Sequence, residues 1–297
     1  MQLHFLNIGG HSIRVAVWRG DDTSTPLLLM NGIGSNIEML KPFAEKLEGT
    51  EVIAFDVPGT GGSTGTMLPY RLSGLADLVA RILVQLGYEQ VDVLGVSWGG
   101  ALAQQFARDF PQRCRRLILA ATTTGMFAVP GDPFALLKLV HSARMRDPEY
   151  LMRNAGKIYG GVFRTNPDYA RRHVREIMAP QTMGYMWQVF ALLGWTSVHW
   201  LFQLKQPTLI MVGSDDPLVP PANGRIMKLL IPDSRLAILD CGHLFLLTQG
   251  SLVTSVVKGF LAGELDHDLD ARRDPEAVRQ FARRHPTLKA VKPAVRQ

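Results

Sequence analysis

Six short apolar runs punctuate the chain: PLLLMN (26–31), EVIAFD (51–56), VDVLGV (91–96), RLILAA (116–121), PTLIMVG (207–213) and RLAILD (235–240). They are too short for helices and too uniformly apolar for one-sided strands, so they predict strands buried on both faces. Ahead of them, strand-like segments near Leu3–Asn7 and Ser12–Val17 flank Gly9-Gly10, which reads as a turn. Leu72, Leu75, Leu78, Val79, Ile82, Leu83 and Leu86 recur at helical spacing, and Gly87 stands where a helix would stop. Further helices are expected from Gly99 to Phe110, ahead of Pro111, and over Leu252, Val253, Val256, Val257, Phe260 and Leu261. Strands alternating with amphipathic helices predict an α/β fold, a mostly parallel sheet with helices on both faces.

Between the fourth and fifth of these runs, roughly 85 residues break the rhythm. They hold Pro130, Gly131, Pro133, Gly160-Gly161 and the aromatic segment GYMWQVFALLGWTSVHWL (184–201). A structureless loop of that size is improbable inside a compact domain. The segment is therefore expected to be a helical cap inserted between strands. The expected organisation is core at 1–124, cap at 125–205, core again at 206–265, and a charged, mobile tail at 266–297. Residues 264–297 are acidic at first, at Glu264, Asp266, Asp268 and Asp270, then basic from Arg272 through Lys289 and Lys292, the usual pattern of a solvated segment.

The chemistry starts at the third run. Gly95-Val96-Ser97-Trp98-Gly99 fits G-x-S-x-G between a strand and a helix, the context in which that pattern holds a nucleophile. A serine on so tight a bend needs small neighbours two residues before and after it. The helix that follows points its partial positive end at the site. A hydroxyl is a weak nucleophile without a base. Of eight histidines, His4 and His11 lie in the opening hairpin, His141, His173 and His199 in the insertion, and His267 and His285 in the tail. His243 alone follows a late apolar strand, which places it at the sheet edge where Ser97 sits. The acid partner should also end a strand. Asp215 and Asp216 both follow the fifth run, and the G-x-x-D-x-x-x-P spacing to Pro220 favours Asp216. The order Ser97, Asp216, His243 is the one found in α/β-hydrolases. Asp56 precedes the serine within a turn motif and reads as structural. Oxyanion donors are expected from the backbone N–H of Trp98 and of Ile33, in the NGIGSN loop after the first run.

PGTGGSTG (58–65) matches neither a dinucleotide fingerprint nor a phosphate loop, and no histidine–cysteine cluster has metal-ligand spacing. No cofactor and no metal are therefore expected. The chain has 297 residues, 46% hydrophobic and 20% charged, enough for one large core, and its net charge of +6 is concentrated in no basic stripe, which argues against nucleic-acid binding. No apolar stretch reaches membrane-spanning length, and the start lacks the basic flank and apolar core of a signal peptide. Cys114 and Cys241 are too few for a disulfide framework, and a cytoplasmic location is expected.

NGIGSNIEMLKPF, VIAFDVPGTGGS, VDVLGVSWGGALAQQFARDFP, YGGVFR, MGYMWQVFALLGWTSVHWL, SDDPLVP and DCGHLFLLT together closely resemble the bacterial intracellular depolymerases of medium-chain-length polyhydroxyalkanoates. The likeness runs from about Leu27 to Phe260 and includes the insertion, which is the discriminating part. It implies an α/β-hydrolase fold, with the nucleophile at Ser97, the acid at Asp216 and the base at His243. It also implies ester hydrolysis of a stored polyester at the surface of its granule. Tyr185, Trp187, Phe190, Trp195 and Trp200 are then candidates for an apolar substrate-binding face, with packing of the cap's own core as the competing explanation. The alternative activity is that of a cofactor-free esterase, lactonase or thioesterase on small acyl substrates.

Overall fold

The computed structural model describes residues 1–21, 24–141, 143, 147–176 and 182–285. Among these residues nine strands form one sheet: β1 (Gln2–Ile8), β2 (His11–Trp18), β3 (Leu27–Met30), β4 (Val52–Phe55), β5 (Val91–Val96), β6 (Cys114–Ala120), β7 (Thr208–Gly213), β8 (Ser234–Leu239) and β9 (Leu269–Asp270). Their order is β1-β2-β4-β3-β5-β6-β7-β8-β9. The β1–β2 hairpin and the β2–β4 pair are antiparallel, and every other pair is parallel.

The period of two decides which side chain goes to which face. Leu28 and Met30 of β3 join one apolar layer with Val93, while Leu27 and Leu29 join the opposite layer with Leu94. The first layer is covered by α2 (Leu72–Leu86) and α3 (Trp98–Asp109). The second is covered by α1 (Ile37–Ala44) and by a later helix, Gly250–Leu261, which buries Val253, Val256, Val257 and Phe260. Gly87 ends α2 in the left-handed conformation at φ 81°, where a side chain would be strained. The chain runs outward from β3 to β4, then crosses back to β5 on the other side of β3. The C-terminal ends of β3 and β5 therefore flank the point where the winding reverses, the usual ligand crevice of such sheets.

Among the described residues, α4 (Pro133–Val140), α5 (Pro148–Tyr159), α6 (Pro167–Glu176) and α7 (Thr182–Leu192) lie between β6 and β7. Asp132 and Asp147 cap α4 and α5 with their carboxylates, and a proline follows each at the first helical position. Ala135, Leu151, Ala155, Ile158, Tyr159 and Phe163 give this cap an apolar centre, which Leu218 and Val219 of the core complete. Trp200, Leu201 and Leu204, further along the insertion, pack into the sheet's own core.

A solvated tail from residue 266 is not what the structure forms. Leu269 and Asp270 pair with Ala237 and Ile238 as the edge strand β9. Pro275–Arg284 is a helix with Val278 and Phe281 buried in the second layer. Phe281 lies over Gly259, where an added Cβ would come within 2.5 Å of its ring. Polar bonds add to this docking: Asp268 accepts the Leu236 N–H at 2.8 Å, and Arg272 donates to the Ser214 carbonyl at 3.1 Å. Lys289 and Lys292 lie outside the described residues.

Asp56 is fully buried and structural. It accepts from Arg14 Nε at 2.6 Å and from the N–H groups of Ile37 and Gly62 at 2.8 Å each, tying β4 to α1 and to the following turn. Among the described residues no helix is long and apolar enough to cross a membrane.

Candidate active site

Ser97 joins β5 to α3 with φ 53° and ψ −116°, a conformation that costs a non-glycine residue about 1–3 kcal/mol. The surroundings enforce it. A Cβ on Gly95 would sit 2.4 Å from the Gly99 carbonyl oxygen, and one on Gly99 would sit 2.2 Å from that of Met30. Ser97 N–H donates to the Ala120 carbonyl at 2.8 Å, and Thr122 Oγ1 donates to the Ser97 carbonyl at 2.7 Å. A serine at a helix N-cap ordinarily turns its oxygen onto the helix N–H groups. This one makes no such bond, and its Oγ lies 3.1 Å from His243 Nε2.

His243 follows β8, and its Nδ1 lies 2.7 Å from Asp216 Oδ2. Asp216 follows β7, and its other oxygen accepts the N–H groups of Leu218 and Val219 at 2.9 Å each. The His243 and Asp216 side chains are both buried, at 5% and 0% exposure, so water does not compete for their bond. An acceptor at Nδ1 keeps the proton there and leaves Nε2 to accept from the serine hydroxyl. Three strand ends thus bring Ser97, His243 and Asp216 into one hydrogen-bonded line. Asp215 does something else. It accepts Arg164 Nε at 2.9 Å and Gly161 N–H at 2.7 Å, joining the β7 end to the cap. Burial pushes its carboxyl up, but the Arg164 and Gly161 bonds and the charges of Arg164 and Arg272 outweigh that and hold it below the ordinary value.

The loop after β3 lies against the serine: a Cβ on Gly32 would be 3.7 Å from Ser97 Cβ. Asn31 clasps this loop, donating from Nδ2 to the Asn36 carbonyl at 2.5 Å and accepting Gly32 N–H at 2.9 Å. Ile33 lines the same cavity as Ser97 and His243. Neither the Ile33 N–H nor the Trp98 N–H donates to an acceptor among the described residues.

The cavity over Ser97 is walled by Val96, Leu139, Leu218, Leu244, Leu246 and Leu247, with polar positions at Asn31, Ser35, Tyr159 and His173. None of the five cap aromatics expected to bind substrate lines it. Tyr185 is buried, with its hydroxyl 3.4 Å from the Leu139 carbonyl, and Trp187 Nε1 donates to the Thr66 carbonyl at 3.1 Å. Trp195 Nε1 donates to Gln105 Oε1 at 2.8 Å, and Trp200 is buried beneath the Arg108 guanidinium. Phe190 is half exposed and faces a separate cleft with Trp195 and Trp200. Among the described side chains of α7, Gly184, Tyr185, Gln188 and Ala191 are buried, and of these Gln188 reaches the loop after β3.

Tyr159, His173 and Gln188 are the site residues that composition and spacing do not reveal. One signal does point to Tyr159: it precedes Gly160-Gly161 in YGGVFR. Both glycines have positive φ, at 65° and 53°, and a Cβ on Gly161 would lie 2.4 Å from Gly242 N. The Tyr159 carbonyl accepts His243 N–H at 2.7 Å. This strap therefore holds the histidine loop to the cap. Tyr159 hydroxyl and His173 Nε2 lie 3.2 Å apart.

A serine on a strained strand-to-helix turn, with a histidine and an acid at two further strand ends of a parallel sheet, is the arrangement of a class of hydrolases. A family model of the alpha/beta hydrolase fold matches residues 25–249, and the chain belongs to that family. It is 50% identical over 260 residues to the poly(3-hydroxyalkanoate) depolymerase of Ectopseudomonas oleovorans, which covers 87% of this chain and 92% of that protein. Among solved structures it is similar to a thermophilic esterase from Thermogutta terrifontis, at 26% identity and TM-score 0.74 over 89% of this chain and 99% of that one. It also shares its fold with the enol-lactonase of Burkholderia xenovorans, at 20% identity and TM-score 0.74 over 87% and 100%.

Proposed function

We propose that this chain is a serine hydrolase that cleaves the ester bonds of medium-chain-length polyhydroxyalkanoate. The observation that carries the chemistry is the line Ser97 Oγ–His243 Nε2, 3.1 Å, and His243 Nδ1–Asp216 Oδ2, 2.7 Å, opening into an apolar cavity. The polymer assignment draws on the 50% identical depolymerase. Ser97 Oγ attacks the ester carbonyl as its proton passes to His243 Nε2, and Asp216 stabilises the imidazolium. The Ile33 and Trp98 N–H groups receive the oxyanion. On collapse, His243 returns the proton to the departing alkoxide, freeing a hydroxyl-ended chain and leaving an acyl-serine. A water, deprotonated by His243, cleaves the acyl-serine and releases a 3-hydroxyalkanoic acid or oligomer.

The substrate has no charge to be recognised by, and the cap offers a matching surface. Phe134, Leu137 and Val140 of α4 are 73%, 64% and 54% exposed, while Leu139 of the same helix lines the cavity. An apolar face continuous with the cavity wall suits docking on a storage granule. The test is acid release from medium-chain polyester latex and from p-nitrophenyl octanoate. Wild type is expected to act on both, and Ser97→Ala on neither, with a loss of about 10⁶-fold in kcat. The double change Phe134→Ser and Leu137→Ser should slow latex alone. Activity confined to soluble esters would instead favour a small-ester hydrolase, and an active Ser97→Ala would end the serine assignment.

A further inference from the structure

Gln188 is fully buried at the middle of α7, between the cap and the serine end of the sheet. Its side-chain Oε1 accepts the Gly34 N–H at 2.6 Å, and its backbone carbonyl accepts the Trp98 indole N–H at 2.8 Å. Those two partners adjoin both amides assigned to the oxyanion. Gly34 follows Ile33 directly, and Trp98 carries the second amide itself. The Gly34 N–H belongs to the planar peptide unit that Ile33 begins, and the Ile33 N–H belongs to the unit before it. The two units are hinged only through the φ and ψ of Ile33, so fixing one plane restricts the other.

The amide orientation follows from its partner: the reverse orientation would set Nε2 against the Gly34 N–H, donor facing donor. As placed, Nε2 has no partner among the described residues. A buried donor without an acceptor is unfavourable, and an apolar side chain of the same length would avoid it. A glutamine here is therefore poor packing material. What it supplies is an acceptor oxygen aimed at the oxyanion loop. We propose that Gln188 is a positioning residue whose side-chain oxygen aligns the Ile33 amide while its backbone carbonyl holds the Trp98 indole, so that the oxyanion site is complete only when the cap is seated. This rests on the serine-hydrolase assignment above.

The experiment compares Gln188→Met, which keeps length and removes the acceptor, with Gln188→Glu, which keeps an acceptor oxygen in either protonation state. With p-nitrophenyl octanoate, Gln188→Met should lose about 10- to 100-fold in kcat, below the ~10²–10³ that removing an oxyanion donor itself costs. KM and inhibition by octanoate should stay within about twofold, because ground-state binding is untouched. Octylboronic acid, whose serine adduct occupies the oxyanion site, should bind more weakly by the same factor as the kcat loss. Gln188→Glu should recover most of kcat. Wild-type kcat in Gln188→Met would overturn the inference. So would a parallel loss of octanoate binding and melting temperature, or a Gln188→Glu no better than Gln188→Met. Ser97→Ala separates the two levels. If it remains active, the serine assignment and the inference fall together. If it is inactive while Gln188→Met matches wild type, the inference alone fails.

Discussion

The two walls of the cavity are assembled by different geometry. On the sheet side, every polar group sits within a few residues of a strand end: Ile33 after β3, Ser97 after β5, Asp216 after β7 and His243 after β8. On the cap side, Tyr159 and His173 line the cavity and Gln188 bonds the loop after β3; they come from three helices, and each is placed only because one helical face is turned inward. Parallel strands all project their C-terminal ends the same way, so topology alone delivers strand-end residues to one rim. A helical residue rotates by about 100° per step. A shift of one position therefore carries its side chain off the site. The sheet wall tolerates coarse specification, and the cap wall does not.

The largest effect expected from this contrast is on the sheet side. Asp216→Asn should lower kcat on p-nitrophenyl octanoate about 10⁴-fold, as it does in other serine triads, by favouring the wrong imidazole tautomer. The bonds that Leu218 and Val219 make to this side chain leave room for an amide oxygen, so the melting temperature should change little. A loss under tenfold would show that the line of hydrogen bonds is not a working triad.

Much of the sheet wall was legible for the same reason. Apolar runs mark the strands, and G-x-S-x-G, the paired Asp215-Asp216 and a single late-strand histidine each mark a strand end. Two things hid the cap wall. Bulk drew attention to Trp187, Trp195 and Trp200, whereas the indole N–H groups of Trp187 and Trp195 are bonded to the core and Trp200 is buried in it. The periodicity of α7 is also weak, because Met183, Met186 and Phe190 are apolar yet exposed, so nothing in the pattern singles out Gln188. The C-terminal segment was obscured by its charge: Leu269, Val278 and Phe281 are few among acids and arginines, yet they are buried, and Asp268 and Arg272 themselves bond to the core.

Trp200 offers the next test, of intermediate size, from the cap's own chain. It is 2% exposed, packs edge-on to Trp195 and lies away from the Ser97 cavity. Trp200→Ala should destabilise the fold by about 3–5 kcal/mol, read from urea unfolding, by leaving a cavity in the main core. At a temperature where the variant stays folded, kcat/KM on the soluble octanoyl ester should remain within about threefold of wild type, the mark of a packing residue. A tenfold loss with the fold intact would return this indole to the substrate-binding set.

The smallest effect belongs to the clamp between the two walls. Asp215 and Arg164 are 43% and 45% exposed at their side chains, so solvent screens the pair, and Asp215→Asn should cost only about 0.2–1 kcal/mol. Its pH dependence is diagnostic. The folded carboxyl lies below the ordinary value of 3.8, so its contribution is complete above that pH and disappears as the pH falls through the folded value. The stability gap between wild type and Asp215→Asn should therefore be constant from neutral pH down to about 4 and close below it. Activity at neutral pH should fall less than threefold, because the strap is also held by the bond from His243 N–H to the Tyr159 carbonyl. A gap that persists well below pH 3 would mean that the Asn variant loses something other than the charge. Because the Asn oxygen can still accept the Gly161 N–H, such a gap would point to displacement of the loop after β7 rather than to loss of the Arg164 ion pair.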